Sequence, residues 1–411
     1  MLTALLVLGL LFGLYMAWNI GANDVANAMG TSVGSHALTL GQAIAVAAVF
    51  EFAGSVFVGT HVSETVKKGI VDVERMPDAG AFMAVMVGAL LAAGLWLQLA
   101  TWRGWPVSTT HSIVGAVAGG GVAVAGLAGV DWVRLGWIGV TWIASPLLGG
   151  AIAFVLFRGI LRWIINSRTP RMRTRRLAPV MVAVVAFVLA LSVVYKGLKN
   201  LHLDLPIGRA SALAGGVALL FGLATTLVSW RHPLKRNRTP SRFGYIERQF
   251  RGLQIATACY VAFAHGANDV ANAVGPVAGV WSAYVSGGVA AKAPVPLWIL
   301  TLGGAGIVVG LATWGYKVMD TIGRKITALT PSRGFCAEFA AATTVLVCSK
   351  AGIPISTTHT LVGSVIGVGL ARGLAALDRR VVRDIFGAWI VTLPASFLLS
   401  ALLVTLLRAV L

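Results

Sequence analysis

Charged side chains are scarce in this chain, and acidic ones are the scarcest. Only 11% of its 411 residues are charged, whereas an average protein carries about 25%. The 14 acidic residues are outnumbered by 33 lysines and arginines, and the 3 cysteines lack the spacing of a metal site. No Gly-x-x-x-x-Gly-Lys-Ser/Thr sequence occurs, which argues against an ATP-driven machine within this chain. The deficit of charge excludes an ordinary water-soluble domain.

Long apolar runs take the place of charge. Hydrophobic residues make up 57% of the chain, and its runs approach the roughly 20 residues that a helix needs to cross a bilayer. The sequence therefore predicts an all-α polytopic membrane protein of about twelve transmembrane segments. We place them at residues 2–20, 40–59, 81–101, 112–130, 136–157, 178–198, 207–230, 252–265, 297–316, 335–349, 360–375 and 385–407. We interpret Met1–Ile20 as a retained helix, because no cleavage site of the Ala-x-Ala type precedes the first span.

Positive charge is concentrated in two loops, residues 168–176 and residues 231–251, and contributes to a net charge of +19. Loops of this kind set the orientation of a membrane protein, with the basic side in the cytoplasm. Binding of an anionic lipid or a regulator is the lesser alternative, and a nucleic-acid partner is not expected. Alternation along the chain then places residues 60–80 and both termini outside the cell membrane.

Two polar motifs are each present twice, in the same order. Residues 21–30, Gly-Ala-Asn-Asp-Val-Ala-Asn-Ala-Met-Gly, recur at 266–275 with one conservative change, and Pro-Val-Ser-Thr-Thr-His at 106–111 recurs as Pro-Ile-Ser-Thr-Thr-His at 354–359. The first copy occupies segments one to five and the second occupies segments eight to twelve. Because a shift of seven segments is odd, the copies should cross the membrane in opposite senses, which is an inverted repeat. The predicted units are residues 1–165, a linking unit 166–251 with the basic loops and two helices, and residues 252–411.

The tenth and eleventh segments, residues 335–349 and 360–375, are short for full spans. We expect residues 335–375, and by symmetry residues 81–130, to form helical hairpins that turn back at their Ser-Thr-Thr tips within the membrane. Irregular backbone at that depth is tolerated only where protein buries it or water fills a cavity. Broken helices are also expected at the interface of the repeats, at the glycines that flank the first motif: Gly21, Gly30, Gly266 and Gly275.

Four acidic residues lie at membrane depth, where a carboxylate is costly and by default functional. Asp24 and Asp269 stand beside amides in the two copies of the first motif, whereas Glu51 and Glu338 align with Ile307 and Leu90 rather than with each other. A carboxyl satisfied by its neighbours is the structural alternative for all four. Na⁺ favours carboxylate, amide and carbonyl oxygens of this kind. The candidate cation ligands are Asn23, Asp24, Asn27, Asn268, Asp269 and Asn272.

The Pro-x-Ser-Thr-Thr-His motif is typical of a helix start. Proline is favoured at the first helical position, and a helix N-terminus offers free N–H groups and a positive dipole end to an anion. Two such starts would present six hydroxyls to one tetrahedral oxyanion, with ordinary helix capping as the alternative. The candidate anion ligands are Ser108, Thr109, Thr110, Ser356, Thr357, Thr358, Asn27 and Asn272. The candidate coupling or gating residues are Glu51, Glu338, His111 and His359, and the histidines are balanced between helix-terminal hydrogen bonding and a proton-linked role.

Two other classes of function compete with transport. An intramembrane hydrolase built from Ser108, His111 and Asp24 lacks the Gly-x-Ser-x-Gly elbow, and catalysis needs one triad rather than matched pairs. An ion channel would leave the oxyanion donors without a purpose. We therefore expect neither an enzyme nor a cofactor, and an ion gradient should supply the energy.

The doubled motifs resemble those of the inorganic phosphate transporter (PiT) family over essentially the whole chain. The resemblance implies Na⁺- or H⁺-coupled symport of inorganic phosphate, twelve spans in inverted repeats, and a homodimer. It also matches the family's intramembrane glutamates to Glu51 and Glu338, while the long cytoplasmic domain of animal members is absent. Some bacterial members carry sulfate, so sulfate is the alternative substrate. The residues do not decide whether Na⁺ or H⁺ is the coupling ion, although the asparagines beside Asp24 and Asp269 favour Na⁺.

Overall fold

Helices build almost all of the described chain. The computed structural model describes residues 1–59, 70–196, 205–231, 244–289, 295–350 and 355–410. Within those ranges the one β-type pairing is an isolated antiparallel bridge between Val71 and Val130, so the all-α prediction is confirmed. Parts of three predicted features lie outside the described residues, namely residues 60–69 of the predicted external loop, residues 232–243 of the second basic loop, and Pro354 of the second motif.

Among the described residues, the first half of the chain forms six α-helices, followed by two that link the halves. They are α1 Leu2–Val25, α2 Thr31–Gly34, α3 Leu40–Val58, α4 Ala79–Arg103, α5 Thr109–Ala125, α6 Trp132–Ile160, α7 Pro170–Lys196 and α8 Ile207–Arg231. A π-helical turn, Ala26–Gly30, joins α1 to α2, and a second one, Leu161–Ile165, extends α6. Part of the first basic loop is helical, because α7 already begins at Pro170.

The described part of the second half forms six more α-helices. They are α9 Gly244–Ser286, α10 Leu297–Trp314, α11 Tyr316–Asp320, α12 Pro331–Lys350, α13 Thr357–Arg372 and α14 Arg379–Val410. A π-helical turn, Thr321–Lys325, follows α11. The predicted boundary between residues 251 and 252 falls inside α9.

Among the described residues, 8 helical stretches are long and apolar enough to cross a membrane. They are Leu2–Gly34, Leu40–Val58, Ala79–Arg103, Trp132–Ile165, Pro170–Val194, Ile207–Val228, Leu297–Trp314 and Arg379–Val410. The four remaining predicted segments correspond to α5, α9, α12 and α13. Of these, α5 has 17 residues and α13 has 16, fewer than the roughly 20 that a full span needs. The number twelve therefore stays a prediction.

The two short helices each contact the helix before them, α5 against α4 and α13 against α12. The first pair turns after Gly104, which adopts the left-handed conformation with φ 70° and ends α4. Each short arm begins deep in the protein: Thr109 of α5 and Thr358 of α13 both donate hydrogen bonds to Asp24 of α1. Both arms therefore start at a buried polar site.

Of the expected helix breaks at the motif glycines, only Gly30 coincides with an interruption of regular α-helix, the π-helical turn Ala26–Gly30. Helix α1 continues through Gly21, and α9 runs without interruption through Gly266 and Gly275. The glycines serve close packing instead. A Cβ on Gly21 would lie 1.9 Å from the backbone oxygen of Ile307, and one on Gly266 would lie 2.1 Å from that of Glu51. Since Ile307 aligns with Glu51, the same helix contact is made once in each copy.

The two helices that carry the first motif run in opposite directions. A Cβ on Gly9 of α1 would touch Val280 of α9 at 3.0 Å, and one on Gly13 would touch Val277 at 2.2 Å. Residue numbers along α9 therefore fall as those along α1 rise. The polar motifs of the two copies meet near the end of α1, where Asp24 and Asp269 both lie within 3.5 Å of His265 on α9.

Large apolar side chains cover the outer faces of the helix assembly. Leu147 on α6 is 66% exposed, Leu219 on α8 is 67% exposed, and Ile390 on α14 is 75% exposed. Most polar side chains of the motifs are buried within the assembly, and Thr110, Asn268 and Thr357 are half-buried. This inverted distribution suits lipid as the surrounding solvent.

Candidate functional site

Asp24 is the centre of a buried hydrogen-bond cluster that draws on both copies. Its Oδ1 accepts hydrogen bonds from Asn27 Nδ2 at 2.9 Å and from Thr358 Oγ1 at 3.1 Å, and its Oδ2 accepts one from Thr109 Oγ1 at 2.8 Å. Asn27 Nδ2 also donates to Thr358 Oγ1 at 2.8 Å. One carboxylate on α1 therefore holds the tips of both hairpins.

Asp269, the counterpart of Asp24 in the second copy, has a related set of hydrogen-bond partners. Thr357 Oγ1 donates to its Oδ2 at 3.1 Å, and Asn272 Nδ2 lies 3.4 Å from its Oδ1. Asn272 also donates to Thr109 Oγ1 at 3.2 Å and to Thr110 Oγ1 at 3.1 Å. The structure thus brings together the predicted threonines with Asp24, Asp269, Asn27 and Asn272.

Two predicted anion ligands cap helices instead. Ser108 Oγ accepts the backbone N–H of His111 at 3.2 Å, and Ser356 Oγ accepts that of His359 at 3.2 Å. Both serines are N-cap residues, which satisfy N–H groups that a helix start leaves free. The helix start lies later than expected, because Pro106 is two residues before the N-cap and not in the first helical position.

The side-chain amide of Asn23 makes its hydrogen bonds to the first hairpin. Its Nδ2 donates to Thr101 Oγ1 and to the backbone oxygen of Trp105, both at 3.0 Å, while its Oδ1 accepts the N–H of Val107 at 3.2 Å. The oxygen expected to bind a cation therefore anchors the hairpin turn beside Asp24. Its counterpart Asn268 is half-buried on α9.

His265 joins three of the intramembrane carboxylates, and sequence reasoning missed it. Its Nε2 lies 3.1 Å from Asp269 Oδ2 and 3.5 Å from Asp24 Oδ2, and its Nδ1 lies 3.3 Å from Glu51 Oε2. The ring is 1% exposed. Its counterpart in the first copy is Ile20, so it belongs to no doubled motif. The available signal was its spacing of four residues before Asp269, on the same face of a helix.

Glu338 has partners of its own. It accepts hydrogen bonds from Ser32 at 2.9 Å, from Thr257 at 2.5 Å and from Gln254 at 3.3 Å, and Thr31 also donates to it. A buried charge is tolerated only where hydrogen bonds satisfy its lone pairs, and these four donors meet that need. Of the two intramembrane glutamates, Glu51 reaches the Asp24–Asp269 site through His265, and Glu338 belongs to a separate polar cluster.

The predicted coupling histidines form an aromatic stack. The rings of His111 and His359 meet edge to face with centroids 4.7 Å apart, His111 packs on Trp142 at 4.1 Å, and His359 stacks on Trp389 at 3.7 Å. The indole of Trp389 in turn donates to the backbone oxygen of Pro106 at 2.8 Å. These contacts favour a packing role at the junction of the hairpins.

The site has the chemistry to hold a hard cation. Asp24, His265 and Asp269 each offer one ligand atom, and these atoms lie within 4.8 Å of one another. Asn27 Oδ1 is buried and has no hydrogen-bond partner in the part of the chain that the structure describes. A buried oxygen of this kind is costly unless a donor or a cation satisfies it. The carboxylates and this amide oxygen together could replace the water shell of Na⁺.

The family follows from comparison with known proteins. The profile of the phosphate transporter family matches residues 20–400. The chain belongs to this family. A solved structure described as the sodium-dependent phosphate transporter superposes with a TM-score of 0.89 at 40% sequence identity, covering 99% of this chain and 100% of that one.

Two relatives extend the likeness to archaea and plants. A protein of Pyrococcus abyssi that is named as a phosphate permease is 46% identical over 404 residues, which are 98% of each chain. The chloroplastic inorganic phosphate transporter 2-1 of Arabidopsis thaliana is 44% identical over 419 residues, which cover 96% of this chain and 70% of the plant protein. All of these names specify phosphate, so the sulfate alternative has no support from them. A multi-pass protein of a transporter family agrees with the expectation of a carrier and not an enzyme.

Proposed function

We propose that the protein is a secondary active transporter that carries inorganic phosphate across the cell membrane by symport with Na⁺. The observation that carries this proposal is the hydrogen bonding between the two motifs. Thr109 and Thr358 donate to Asp24, and Thr357 donates to Asp269. The hydroxyls that would bind the anion are thus held by the carboxylates that would bind the cation.

This arrangement makes anion binding depend on cation binding. A hydroxyl has one hydrogen to donate, so a threonine that donates to an aspartate cannot donate to phosphate. Two unit charges 4 Å apart also repel by about 4 kcal/mol at an effective dielectric constant of 20, which disfavours phosphate beside free carboxylates. A Na⁺ ion on Asp24 and Asp269 offsets that repulsion and takes over the oxygens, which frees the hydroxyl hydrogens for phosphate.

Proton coupling is the second candidate, and His265 is the observation that favours it. Its two ring nitrogens lie 3.1 Å from Asp269 and 3.3 Å from Glu51, so a proton could pass between buried carboxylates through the imidazole. The sodium-dependent transporter that shares the fold favours Na⁺. Unlike a sodium-coupled carrier, a proton-coupled one would accumulate phosphate without Na⁺ when a pH gradient is imposed.

The architecture suits alternating access between two halves. The antiparallel packing of α1 against α9 and the reciprocal contacts of Gly21 and Gly266 support two inverted repeats with the phosphate site between them. Twelve spans, external termini and a homodimer complete the proposal. The threonines Thr109, Thr110, Thr357 and Thr358 would bind phosphate together with the N–H groups of their helix starts, with Asn27 and Asn272 between the two ions.

The test is phosphate uptake into proteoliposomes with imposed gradients. Uptake should require an inward Na⁺ gradient, should not follow a pH gradient alone, and should resist competition by sulfate. Asp24→Asn keeps the shape of the side chain but removes its charge, and should abolish accumulation in a folded protein. Asp384→Asn is the matched control, because Asp384 is exposed and pairs with Arg383 at 3.2 Å. Accumulation at the wild-type level by the Asp24→Asn variant would overturn the coupling role of this carboxylate.

A further inference from the structure

A basic cavity of about 520 Å³ lies apart from the Asp24–Asp269 site. It opens where α2, the end of α4, α11 and the following π-helical turn meet. Four cationic side chains line it, and of the described lining residues Asp320 is the one carboxylate. The lining residues that matter for charge are Arg103, Lys317, Asp320, Arg324 and Lys325.

The cations are held in place by specific contacts. The guanidinium of Arg103 lies 5.2 Å from the ring centre of Trp102 and 5.4 Å from that of Trp105, so two indoles orient it. Lys317 Nζ donates to the backbone oxygen of Trp102 at 3.4 Å. These contacts leave hydrogen-bond donors on both side chains free for a ligand.

The carboxylate neutralises only part of this charge. Asp320 pairs with Lys325 at 3.1 Å and with Arg324 at 3.7 Å, and these side chains are between 40% and 57% exposed. Solvent screens such pairs, so they hold the two cations only weakly. A cavity with walls of low dielectric constant and an excess of one sign of charge concentrates ions of the opposite sign. A multiply charged anion is therefore the ligand that fits.

We propose that this cavity is a second binding site, which takes phosphate-bearing anions on the side that the positive-inside rule assigns to the cytoplasm. Guanidinium and ammonium donors favour phosphoryl oxygens over a monovalent anion such as chloride. The inference rests on the proposed function for the choice of inorganic phosphate as the physiological ligand. Anion binding in this cavity needs no Na⁺, because the side chains that bind the anion are themselves cations.

The position of the cavity links it to the transport site. Arg103 and Gly104 lie between Thr101 and Trp105, the two residues to which Asn23 Nδ2 donates at 3.0 Å. Asn23 precedes Asp24 in α1. An anion that binds Arg103 therefore contacts the same turn that anchors the Asp24 region. Phosphate that accumulates in the cytoplasm would bind directly at this turn.

Equilibrium binding of radiolabelled phosphate to the purified full chain in neutral detergent tests the proposal. The wild type should bind phosphate in choline buffer without Na⁺, and Na⁺ should add a second class of site. Arg324→Gln/Lys325→Gln should weaken the Na⁺-free class at least about tenfold and leave the Na⁺-dependent class in place. Arg162→Gln, an exposed arginine outside the cavity lining, is the matched control and should change neither.

Asp320→Asn gives a test of opposite sign. It removes the competing carboxylate, so the Na⁺-free class should bind phosphate several-fold more tightly. Absence of Na⁺-free binding, or equal affinity in the wild type and the double variant, would overturn the proposal. If the wild type shows Na⁺-free binding but no Na⁺-dependent class, the result would instead count against the proposed transport function.

A lipid headgroup offers the same phosphoryl chemistry, and a second arm identifies the source. The measurement is repeated in nanodiscs of phosphatidylglycerol. If the headgroup is the occupant, these lipids will suppress Na⁺-free phosphate binding to the wild type, and the double variant will bind fewer lipids. If free phosphate is the occupant, the isotherm will match that in detergent.

Discussion

His111 and His359 touch each other across the two copies of the second motif, with their ring centroids 4.7 Å apart and their planes at 86°. Each follows a Ser-Thr-Thr sequence, and each packs on a tryptophan, Trp142 or Trp389. The two hairpin tips are therefore joined by buried aromatic surface as well as by their shared bonds to Asp24. Sequence alone left these histidines balanced between hydrogen bonding and proton transfer, and the stack gives a way to decide.

We expect His359→Phe to retain both folding and phosphate uptake, because a phenyl ring fills nearly the same volume and keeps the stack on Trp389. A swap that conserves volume usually costs less than about 1.5 kcal/mol, whereas His359→Ala would leave a cavity and should cost about 3 kcal/mol. Thermal unfolding in detergent and uptake at two pH values measure both effects. A stable His359→Phe protein without uptake would point to the proton-linked role.

Gly266→Ala should disrupt the packing of α9 on α3. The added methyl would lie 2.1 Å from the backbone oxygen of Glu51, and backbone cannot move aside cheaply. We expect a loss of about 3 kcal/mol in the free energy of unfolding. Gly252→Ala on the same helix meets nothing within 4 Å and should gain up to about 1 kcal/mol from helix propensity. Similar melting temperatures for the two variants would contradict the close approach of these helices.

His265→Gln should make the protein more dependent on Na⁺ for its stability. Among the described residues, the imidazole is the one group able to carry a positive charge that lies within 3.5 Å of Asp24, Glu51 and Asp269. Breaking a buried ionic contact costs about 3–5 kcal/mol. A bound cation can restore part of that loss, in proportion to its concentration. Melting in Na⁺ and in choline should therefore differ more for the variant than for the wild type.

The exposed His36 supplies the control for that experiment. It has a positive φ of 62°, a conformation that asparagine tolerates, so His36→Asn should leave the Na⁺ dependence unchanged. An equal response to Na⁺ in the wild type and in His265→Gln would show that the imidazole does not compensate the carboxylates.

The orientation of the two halves can be tested with single cysteines at Arg134 and Arg380. Both are exposed, and they lie near the starts of α6 and α14, which occupy matching places in the two copies. In a background without Cys259, Cys336 and Cys348, an impermeant thiol reagent should label them from opposite faces of the membrane. Labelling from one face would indicate a parallel duplication and remove the geometric basis for a shared phosphate site.

Sequence reasoning predicted the all-helical membrane fold and the hairpins because both depend on local patterns. Apolar length, charged loops and the doubled motifs are visible without knowing any contact. The clustering of Asp24 and Asp269 with Thr109, Thr357 and Thr358 agrees with what the duplication suggested. The helix breaks were inferred from glycine, but Gly21 and Gly266 face a neighbouring backbone, and a sequence does not show which helix approaches.

The rest of the site depends on contacts between residues distant in the chain. His265 stands 241 positions from Asp24 in the chain numbering, and no periodicity links it to Glu51. The capping bonds of Ser108 and Ser356 could not be predicted, because a capping serine and a ligand serine look alike until the first helical residue is known. The hydrogen bonds of Asn23 could not be predicted for a similar reason: its partners, Thr101 and the Trp105 backbone, belong to another helix and to the turn that follows it.

His265 aligns with Ile20 in the first copy, and this difference between the copies has a consequence for the proposed transport cycle. In the proposed carrier of two inverted copies, the outward- and inward-open forms would arise when the copies exchange conformations. Chemically identical copies would give the two forms equal free energies, and the empty protein would divide evenly between them. Here His265, Glu51 and Glu338 align with Ile20, Ile307 and Leu90, so the exchange places charge in different surroundings. The unloaded carrier should therefore rest mainly in one form.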